Sequence, residues 1–412
     1  MARLDPQPWM TAEPTRRLLA ALEAERPGCA RFVGGCVRNA LLGEPVSDID
    51  IATQLTPERA SDVLGAAGFA VHPTGIEHGT ITVVVDHHPF EITTLRRDVE
   101  TDGRRAVVAY TEDWAEDAAR RDFRVNALYA APDGELFDLV GGGLDDLAAR
   151  RIAFVGDPET RIREDYLRIL RFFRFYAWYG RGEPNEEALA ACGKLREGLG
   201  RISVERIWME TKKLLKAPDP SPSLDAMIAC GVFGEVFHER DTQGALPALL
   251  AIERKIEAEA DPLLRLTALF EGDPAAVFAF VLGHKVSNEE RRRMLRASGG
   301  DPGLASDMTK REVRQAIYIL GGQLFRDRVL LRWATGEGEA KGWMKLLDFA
   351  DSWSPPELPV SGNDALQAGV KSGPDIGDAM EQVEAEWIAS DFELSRDTLV
   401  ARLEEIAGEG DQ

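Results

Sequence analysis

Two aspartates one residue apart, Asp48 and Asp50 in the segment SDIDIAT, have a spacing that can bring two carboxylates side by side. Alternate residues of a β-strand point to the same face, so a strand here places both aspartates on one face and Ile49 and Ile51 on the other. Such like charges repel each other unless a cation lies between them. Magnesium, which binds one or two carboxylates together with phosphate oxygens, fits this chemistry. The segment therefore predicts a magnesium site, and the alternative is an exposed strand edge that only carries charge.

A glycine turn lies about a dozen residues upstream of these aspartates, in VGGCVRNALLG (33–43). The apolar run RFV before it predicts a strand, and the residues after Gly34 and Gly35 predict a helix that ends at Gly43. The backbone N–H groups of such a turn and of the helix start form a cradle for phosphate. Arg38, in the first turn of this helix, could add a bidentate phosphate contact. The alternative is a plain tight turn, since neither Gly-Lys-Ser/Thr nor G-x-G-x-x-G follows.

Two further segments of this region carry charged candidates. In PFEITTLRRD, Glu91 alternates with Phe90 and Ile92, so a strand would turn it away from its apolar neighbours, toward a metal or toward solvent. The segment ARRDFRVNALYA (119–130) combines arginines at positions 120, 121 and 124 with Asp122 and Asn126. Arginines here could neutralise a triphosphate, and Asn126 could reach a ribose. The alternative is an aspartate that caps a helix beside solvated arginines.

The segment REDYLRILRFFRFYAWYG (163–180) predicts one long helix. Its apolar face gathers Tyr166, Ile169, Leu170, Phe173, Tyr176 and Ala177. Its opposite side gathers Asp165, Arg168, Arg171 and Arg174, with Leu167, Phe172, Phe175 and Trp178 interleaved. Arginines at three-residue intervals among aromatic residues are typical of a surface that reads bases and phosphates. An ordinary amphipathic helix with ion pairs three residues apart is the alternative.

The bulk composition limits what these segments can belong to. With 412 residues, 44% of them hydrophobic and 29% charged, the chain is expected to form several globular domains. Four cysteines without C-x-x-C spacing, no signal peptide and no long apolar run predict a reduced, cytoplasmic protein. The net charge of −21 argues against a nucleic-acid partner, but it is unevenly distributed. Residues 150–216 hold 15 Lys and Arg against 10 Asp and Glu, whereas residues 351–412 hold 3 against 15.

The predicted secondary structure that must position these residues changes along the chain. Up to about residue 140, short strand-like runs alternate with turns and two helical segments, which predicts an α/β region. The segment DHHP (86–89) predicts a hairpin turn, and GGGLDD (141–146) marks the end of the region. Beyond it the pattern is helical, with breaks near 217–222 and 352–362. We therefore expect four domains, at residues 1–140, 141–216, 217–350 and 351–412.

In combination, these segments resemble the class II tRNA nucleotidyltransferases, namely the CCA-adding enzymes and related bacterial poly(A) polymerases. The matching segments are VGGCVRNALLG, SDIDIAT, FEITTLR, RRDFRVNAL, DLVGGGLDDL and REDYLRILRFFRF, in the family's order over roughly residues 30–216. A further stretch, VSGNDALQAGVKSGPDIG (360–377), resembles the family's C-terminal tail and implies a tRNA contact. The resemblance implies an α+β fold, with a mixed-sheet, polymerase-β-like nucleotidyltransferase head followed by an all-α neck, body and tail.

Carried over by position, the resemblance also implies the roles of individual residues. Asp48 and Asp50 would bind Mg²⁺, Gly35 and Arg38 would hold the triphosphate, and Glu91 would be the third catalytic carboxylate. The residues implied to contact the incoming CTP or ATP are Arg121, Asp165, Arg168, Arg171 and Arg174. The implied reaction transfers nucleotides to the 3′-hydroxyl of tRNA and releases pyrophosphate. Asn39 departs from the pattern, since the family commonly has aspartate after the arginine.

Base chemistry agrees with this resemblance. On their Watson–Crick edges, C and A each present an amino donor beside a ring-nitrogen acceptor, whereas U and G present a carbonyl beside an N–H. A carboxylate, which only accepts, next to a guanidinium, which only donates, matches C and A and opposes U and G. Asp165 and Arg168 can supply this pair. Three rivals remain: a poly(A) polymerase or A-adding enzyme, a small-molecule nucleotidyltransferase, and an RNA-binding scaffold without catalysis.

Overall fold

The computed structural model describes residues 2–101, 106–237, 240–299, 303–371 and 373–409. The chain folds into two compact units, an N-terminal unit (Met1–Thr242) and a C-terminal unit (Gln243–Gln412). The α+β class that the sequence implied is confirmed, because all strands described lie in the N-terminal unit and the C-terminal unit is helical where described. None of the described helices is long and apolar enough to cross a membrane.

The N-terminal unit is built on a mixed seven-stranded sheet with the strand order β3-β4-β5-β2-β1-β8-β9. Only β2 and β5 pair in parallel; the other neighbours in the sheet are antiparallel, and β6 and β7 form a separate ribbon. The strands are β1 (Ala30–Val33), β2 (Asp50–Thr53), β3 (Ala70–Gly75), β4 (Thr80–Val85), β5 (His88–Thr94), β6 (Arg96–Thr101), β7 (Ala106–Tyr110), β8 (Leu128–Ala130) and β9 (Leu136–Asp138).

Local sequence explains why these strands form. In β4, Ile81, Val83 and Val85 are buried while the threonine and valine between them are half-buried, which is the period-2 pattern of a sheet with one core face. The turn between β4 and β5 has Asp86 and His87 at φ 48° and 66°, as expected for a two-residue hairpin turn with both central residues left-handed. The hairpin predicted at residues 86–89 is therefore confirmed.

Several helices of the N-terminal unit pack against the sheet, and others follow it in the chain. They are α1 (Pro8–Thr11), α2 (Glu13–Glu25), α3 (Gly35–Leu42), α4 (Pro57–Ala66), α5 (Trp114–Ala119), α6 (Gly143–Ala148), α7 (Pro158–Glu164), α8 (Leu167–Tyr179), α9 (Glu186–Lys194), α10 (Val204–Leu215), α11 (Ser221–Ala229) and α12 (Val232–Phe237). Short 3₁₀ turns occur at Ile76–His78, Arg124–Asn126 and Arg196–Arg201.

The single helix predicted over residues 163–180 is wrong in one respect, because the structure breaks it in two. Asp165 has extended backbone angles (φ −154°, ψ 106°) and ends α7, and α8 begins at Leu167. The physical reason is local: the Asp165 carboxylate accepts a hydrogen bond from the Leu167 N–H at 3.1 Å, which competes with helical pairing of this segment.

The predicted apolar face of this segment is also too narrow. Leu167, Phe172 and Phe175, which the helical period placed among the arginines, are buried. Phe172 stacks on Phe154 with ring centroids 5.9 Å apart, and Phe175 contacts Phe123 at 5.1 Å. These aromatic rings are core residues, so they are not available to stack on nucleotide bases.

Two helical cores are seen among the described residues of the C-terminal unit. One gathers buried residues between Leu249 and Leu347, and the other gathers Val360, Val383, Trp387, Leu403 and their neighbours. Its helices are α13 (Leu246–Lys255), α14 (Pro262–Leu269), α15 (Pro274–Gly283), α16 (Asn288–Ser298), α17 (Lys310–Leu320), α18 (Gly322–Ala334), α19 (Ala340–Ser352), α20 (Gly362–Gln367), α21 (Pro374–Ala389) and α22 (Arg396–Glu409).

Candidate active site

The glycine turn connects β1 to α3. Gly34 has φ 73° and ψ −122°, a backbone conformation that L-residues with a side chain rarely adopt, and it caps α3 without bringing a side chain to its N-terminus. A Cβ atom on Gly34 would lie 3.5 Å from Nη1 of Arg121. The start of α3 thus combines first-turn N–H groups with an adjacent guanidinium. This is a positively polarised turn of the kind that accepts phosphate.

The predicted carboxylates lie around the start of β2. Asp50 is the first residue of β2 and is paired in parallel register with Glu91 of β5, so both side chains leave the sheet on the same face. Glu91 is exposed between buried Phe90 and Ile92, as its alternation predicted. Asp48 is exposed in the loop just before β2, so the strand is shorter than SDIDIAT suggested.

Burial and like charge make Asp50 electrostatically unfavourable as an anion. Burial raises its pKa to about 6, with further upward contributions from Glu91 and Asp48 and opposing ones from Arg121 and Arg38. Across the described ranges of the chain, no three His, Cys, Asp or Glu side chains form a complete metal-binding group. Two carboxylates fit Mg²⁺ all the same, because this ion typically takes its other ligands from water and substrate phosphates.

Arg121 is held beside the turn by residues that the sequence reasoning did not single out. Its Nη2 donates to Asp117 at 3.1 Å and its Nε donates to the Tyr129 hydroxyl at 3.1 Å, and this hydroxyl donates to Asp117 at 2.6 Å. Asp117 is almost fully buried. Burial would raise its pKa, but the cations Arg121 and Arg120 lower it to about 2. The four-residue spacing of Asp117 and Arg121 was a signal for this ion pair.

Arg38 is buried, and it links the glycine helix to α8. Its guanidinium donates to Asn126 Oδ1 at 2.5 Å and to the Tyr179 hydroxyl at 2.8 Å, and it lies 4.0 Å from the centre of the Tyr179 ring. Asn39 Oδ1 accepts from Nε and Nη2 of Arg38 at 3.1 and 2.8 Å. The amide at position 39 therefore still supplies an acceptor for Arg38, although the family's usual carboxylate is absent. No sequence pattern pointed to Tyr179.

The arginines of α8 are anchored by carboxylates. Arg171 donates to Asp122 through Nε at 2.9 Å and through Nη2 at 2.5 Å, and Arg174 Nε donates to Glu210 at 2.5 Å. Although burial would raise the pKa of Asp122, the pair with Arg171 and the bond from Asn126 hold it well below its usual range. These arginines have fixed directions, but ion pairs occupy part of their donor capacity.

Asp165 and Arg168 do not pair through their side chains. Nη1 of Arg168 donates to the Arg161 carbonyl at 2.8 Å and to Glu164. Asp165 Oδ2 accepts from Arg206 of α10 at 2.7 Å. The two predicted base-reading residues still lie together at the α7–α8 junction, where the Arg168 N–H donates to the Asp165 carbonyl at 3.0 Å. Arg206 and Glu210 were not predicted to take part, since both lie about 40 residues away in sequence.

The fold and these charged groups define a nucleotidyltransferase of the poly(A) polymerase type. Residues 30–153 match the family model "Poly A polymerase head domain", and residues 183–243 match "Probable RNA and SrmB- binding site of polymerase A".

Relatives cover most of the chain. The CCA tRNA nucleotidyltransferase 1, mitochondrial, of Danio rerio is 35% identical over 382 residues, which are 90% of this chain and 86% of that protein. The CCA-adding enzyme of Limosilactobacillus reuteri is 30% identical over 406 residues, 97% of this chain and 98% of that one. The crystal structure of the Bacillus stearothermophilus CCA-adding enzyme in complex with CTP has a TM-score of 0.74 and 25% identity, with 97% of this chain and 99% of that chain covered. The chain belongs to the family of CCA-adding enzymes, as the sequence segments indicated.

Proposed function

We propose that this chain adds C, C and A to the 3′ end of tRNA from CTP and ATP, without a nucleic-acid template. The observation that carries this proposal is the meeting of four charged residues at the start of β2: Asp50 beside Glu91, with Asp48 next to them, and Arg121 at the Gly34 turn. Carboxylates for a metal next to a turn for phosphates are what nucleotidyl transfer requires.

Asp48 and Asp50 would hold Mg²⁺. Burial raises the pKa of Asp50, and the negative charges of Glu91 and Asp48 raise it further, so a cation beside these carboxylates would relieve their repulsion. When bound, the metal would favour attack of the tRNA 3′-hydroxyl on the α-phosphate and stabilise the leaving pyrophosphate. Glu91, on the same face, adds negative charge beside them. The cations Arg121 and Arg38 offset part of this negative charge, and they therefore lower the pKa of Asp50.

In this proposal the triphosphate lies at the start of α3. Gly35 and its neighbours contribute backbone N–H groups, and Arg121 contributes a guanidinium beside them. Arg38 is anchored to Asn126 and Tyr179, so it approaches the phosphates from a fixed direction. Arg171 and Arg174, held by Asp122 and Glu210, supply further positive charge to the nucleotide.

Base selection is assigned to Asp165 and Arg168. Asp165 uses one lone pair of each oxygen, for Leu167 N–H and for Arg206, which leaves others to accept the amino group of C or A. Arg168 makes both of its side-chain hydrogen bonds through Nη1, so Nε and Nη2 remain to donate to the ring nitrogen. Four aromatic residues of α8, Phe172, Phe173, Phe175 and Tyr176, are buried, so base selection is assigned to this hydrogen-bonding edge.

The tRNA is proposed to contact the basic segment 150–216 and the tail segment 360–377. We also assign the protein to the cytoplasm, a reducing compartment that suits its four free cysteines (Cys29, Cys36, Cys192 and Cys230). The acidic residues 351–412 favour a specific tRNA contact over the indiscriminate RNA binding of a poly(A) polymerase.

The test is single-nucleotide incorporation into tRNA that ends at the discriminator base or at CC, with each of the four NTPs separately. The wild-type protein should add C to the first substrate and A to the second. Asp165→Ala should lose about one to two orders of magnitude of C-over-U and A-over-G selectivity, the value of one charged hydrogen bond. Unchanged ratios would remove Asp165 from base selection, and addition of A alone to every end would instead identify a poly(A)-type polymerase.

A further inference from the structure

Helix α10 presents a pair of opposite charges to the residues assigned to the nucleotide. Arg206 and Glu210 are four residues apart on α10, so they lie on the same face of the helix. Arg206 Nη2 donates to Asp165 Oδ2 at 2.7 Å, and Glu210 Oε2 accepts from Arg174 Nε at 2.5 Å. Arg206 of α10 thus holds the carboxylate of Asp165, and Glu210 of α10 holds the guanidinium of Arg174.

Asp165 depends on this support because it lies outside any helix. Its backbone is extended, and its side chain is fixed by two hydrogen bonds, one from the Leu167 N–H to Oδ1 and one from Arg206 to Oδ2. Without Arg206, the hydrogen bond from the Leu167 N–H is the one that remains, and the carboxylate can turn about it. The direction of Oδ2 is therefore determined by a residue on a different helix.

We propose that Arg206 is a positioning residue for nucleotide selection: by fixing Asp165 Oδ2 it aims the acceptor at the amino group of C or A. This inference rests on the base-reading role assigned to Asp165 above. A carboxylate held in one direction opposes the carbonyl of U or G at that position, whereas a carboxylate free to turn can avoid the repulsion. Fixed geometry therefore contributes to discrimination in addition to binding.

The experiment compares Arg206→Ala, Arg206→Lys and Asp165→Ala in single-nucleotide incorporation with all four NTPs, with kcat and KM measured for each. Arg206→Ala should lose about tenfold in C-over-U and A-over-G selectivity, the value of one charge-assisted hydrogen bond. Arg206→Lys keeps a cation and should recover part of the loss. Arg163→Ala is the matched control, because Arg163 pairs with Glu159 within α7 and should leave selectivity unchanged.

A double mutant separates positioning from general stabilisation. If Arg206 acts through Asp165, then Asp165→Ala with Arg206→Ala should be no less selective than Asp165→Ala alone. The positioning role would be overturned if Arg206→Ala lowered the incorporation of all four NTPs equally, or if it kept full selectivity. Unchanged selectivity in Asp165→Ala would instead overturn the base-reading assignment, so the two failures are distinguishable. Thermal unfolding identifies a variant that fails to fold, and Arg206→Gln, which keeps an N–H donor, then replaces Arg206→Ala.

Discussion

Replacing Asp50 by asparagine should stabilise the metal-free protein while abolishing nucleotide transfer. Burial and the neighbouring Glu91 and Asp48 raise the pKa of Asp50 from 3.8 to about 6, so its ionised form is disfavoured in the folded state. A difference of about two pH units between folded and unfolded states corresponds to about 3 kcal/mol at neutral pH. The neutral amide of Asn avoids this cost, and the substitution also removes a carboxylate that is assigned above to the metal.

The sign of the effect sets the pH range of the experiment. When folding raises the pKa of a carboxyl group, the protein is most stable below the pKa that the group has in the unfolded state. Stability then falls as the pH rises through the pKa that the group has in the folded state. Ionisation of Asp50 should therefore not lower the free energy of unfolding near pH 3.5, and it should lower it by the full amount above pH 6 to 7. The stability difference between Asp50→Asn and wild type should grow across this range, mostly between about pH 4 and pH 6.

Urea unfolding in EDTA at several pH values measures this difference, because contributions from all other groups are common to both proteins. Asp48→Asn is the matched control: Asp48 is exposed, so its substitution should change stability by less than about 1 kcal/mol. Magnesium should stabilise wild type more than Asp50→Asn, since ligands of the folded state raise its stability. A stability difference that is independent of pH, or a destabilised Asp50→Asn, would refute the electrostatic account of this site.

Two further outcomes follow from the same geometry. Gly34→Ala should lower the free energy of unfolding by about 1–3 kcal/mol, because φ 73° with ψ −122° strains any residue that has a side chain, and it should raise KM for both CTP and ATP. Thermal unfolding measures the first effect and steady-state kinetics the second. A Gly34→Ala variant with unchanged stability and full activity would contradict the turn assignment. Affinity for tRNA should fall steeply as the salt concentration rises, because contacts with tRNA phosphates release counterions. Binding titrations at several salt concentrations measure this dependence. A Kd that is independent of salt would exclude recognition of the tRNA backbone, despite the basic segment 150–216.

Features of the head that depend on local periodicity could be predicted from the sequence. The alternation of Phe90, Glu91 and Ile92 correctly indicated which side chain leaves the core, because a strand has only two faces. The glycine pair Gly34-Gly35 indicated a turn between a strand and a helix, and Gly34 has a positive φ that residues with a side chain rarely adopt. What the sequence could not supply was the partner of each charge. The parallel pairing of Asp50 with Glu91 joins residues about 40 positions apart.

Helix α8 illustrates the other limit, since a helical period describes one helix and not its surroundings. Phe172 and Phe175 fall on the side of the arginines by periodicity, yet Phe154 and Phe123 cover them from distant segments. The same is true of the arginines, whose carboxylate partners Asp122 and Glu210 come from outside α8. A pattern of arginines and aromatics therefore resembled a surface for stacking, whereas the folded chain buries the rings of Phe172 and Phe175 and fixes the guanidinium groups of Arg171 and Arg174.

This difference bears on how a template-free polymerase could choose its base. Stacking on an aromatic ring is available to every base and discriminates weakly, whereas a hydrogen-bonding edge rejects the wrong base by leaving charges unpaired. Such rejection is effective only if the acceptor and donor cannot turn to suit the wrong base. Asp165 is held from α10 and from the start of α8, and Arg168 is held by Glu164 and the Arg161 carbonyl. If these two residues read the base, the anchoring contacts around them contribute to specificity in addition to the pair itself.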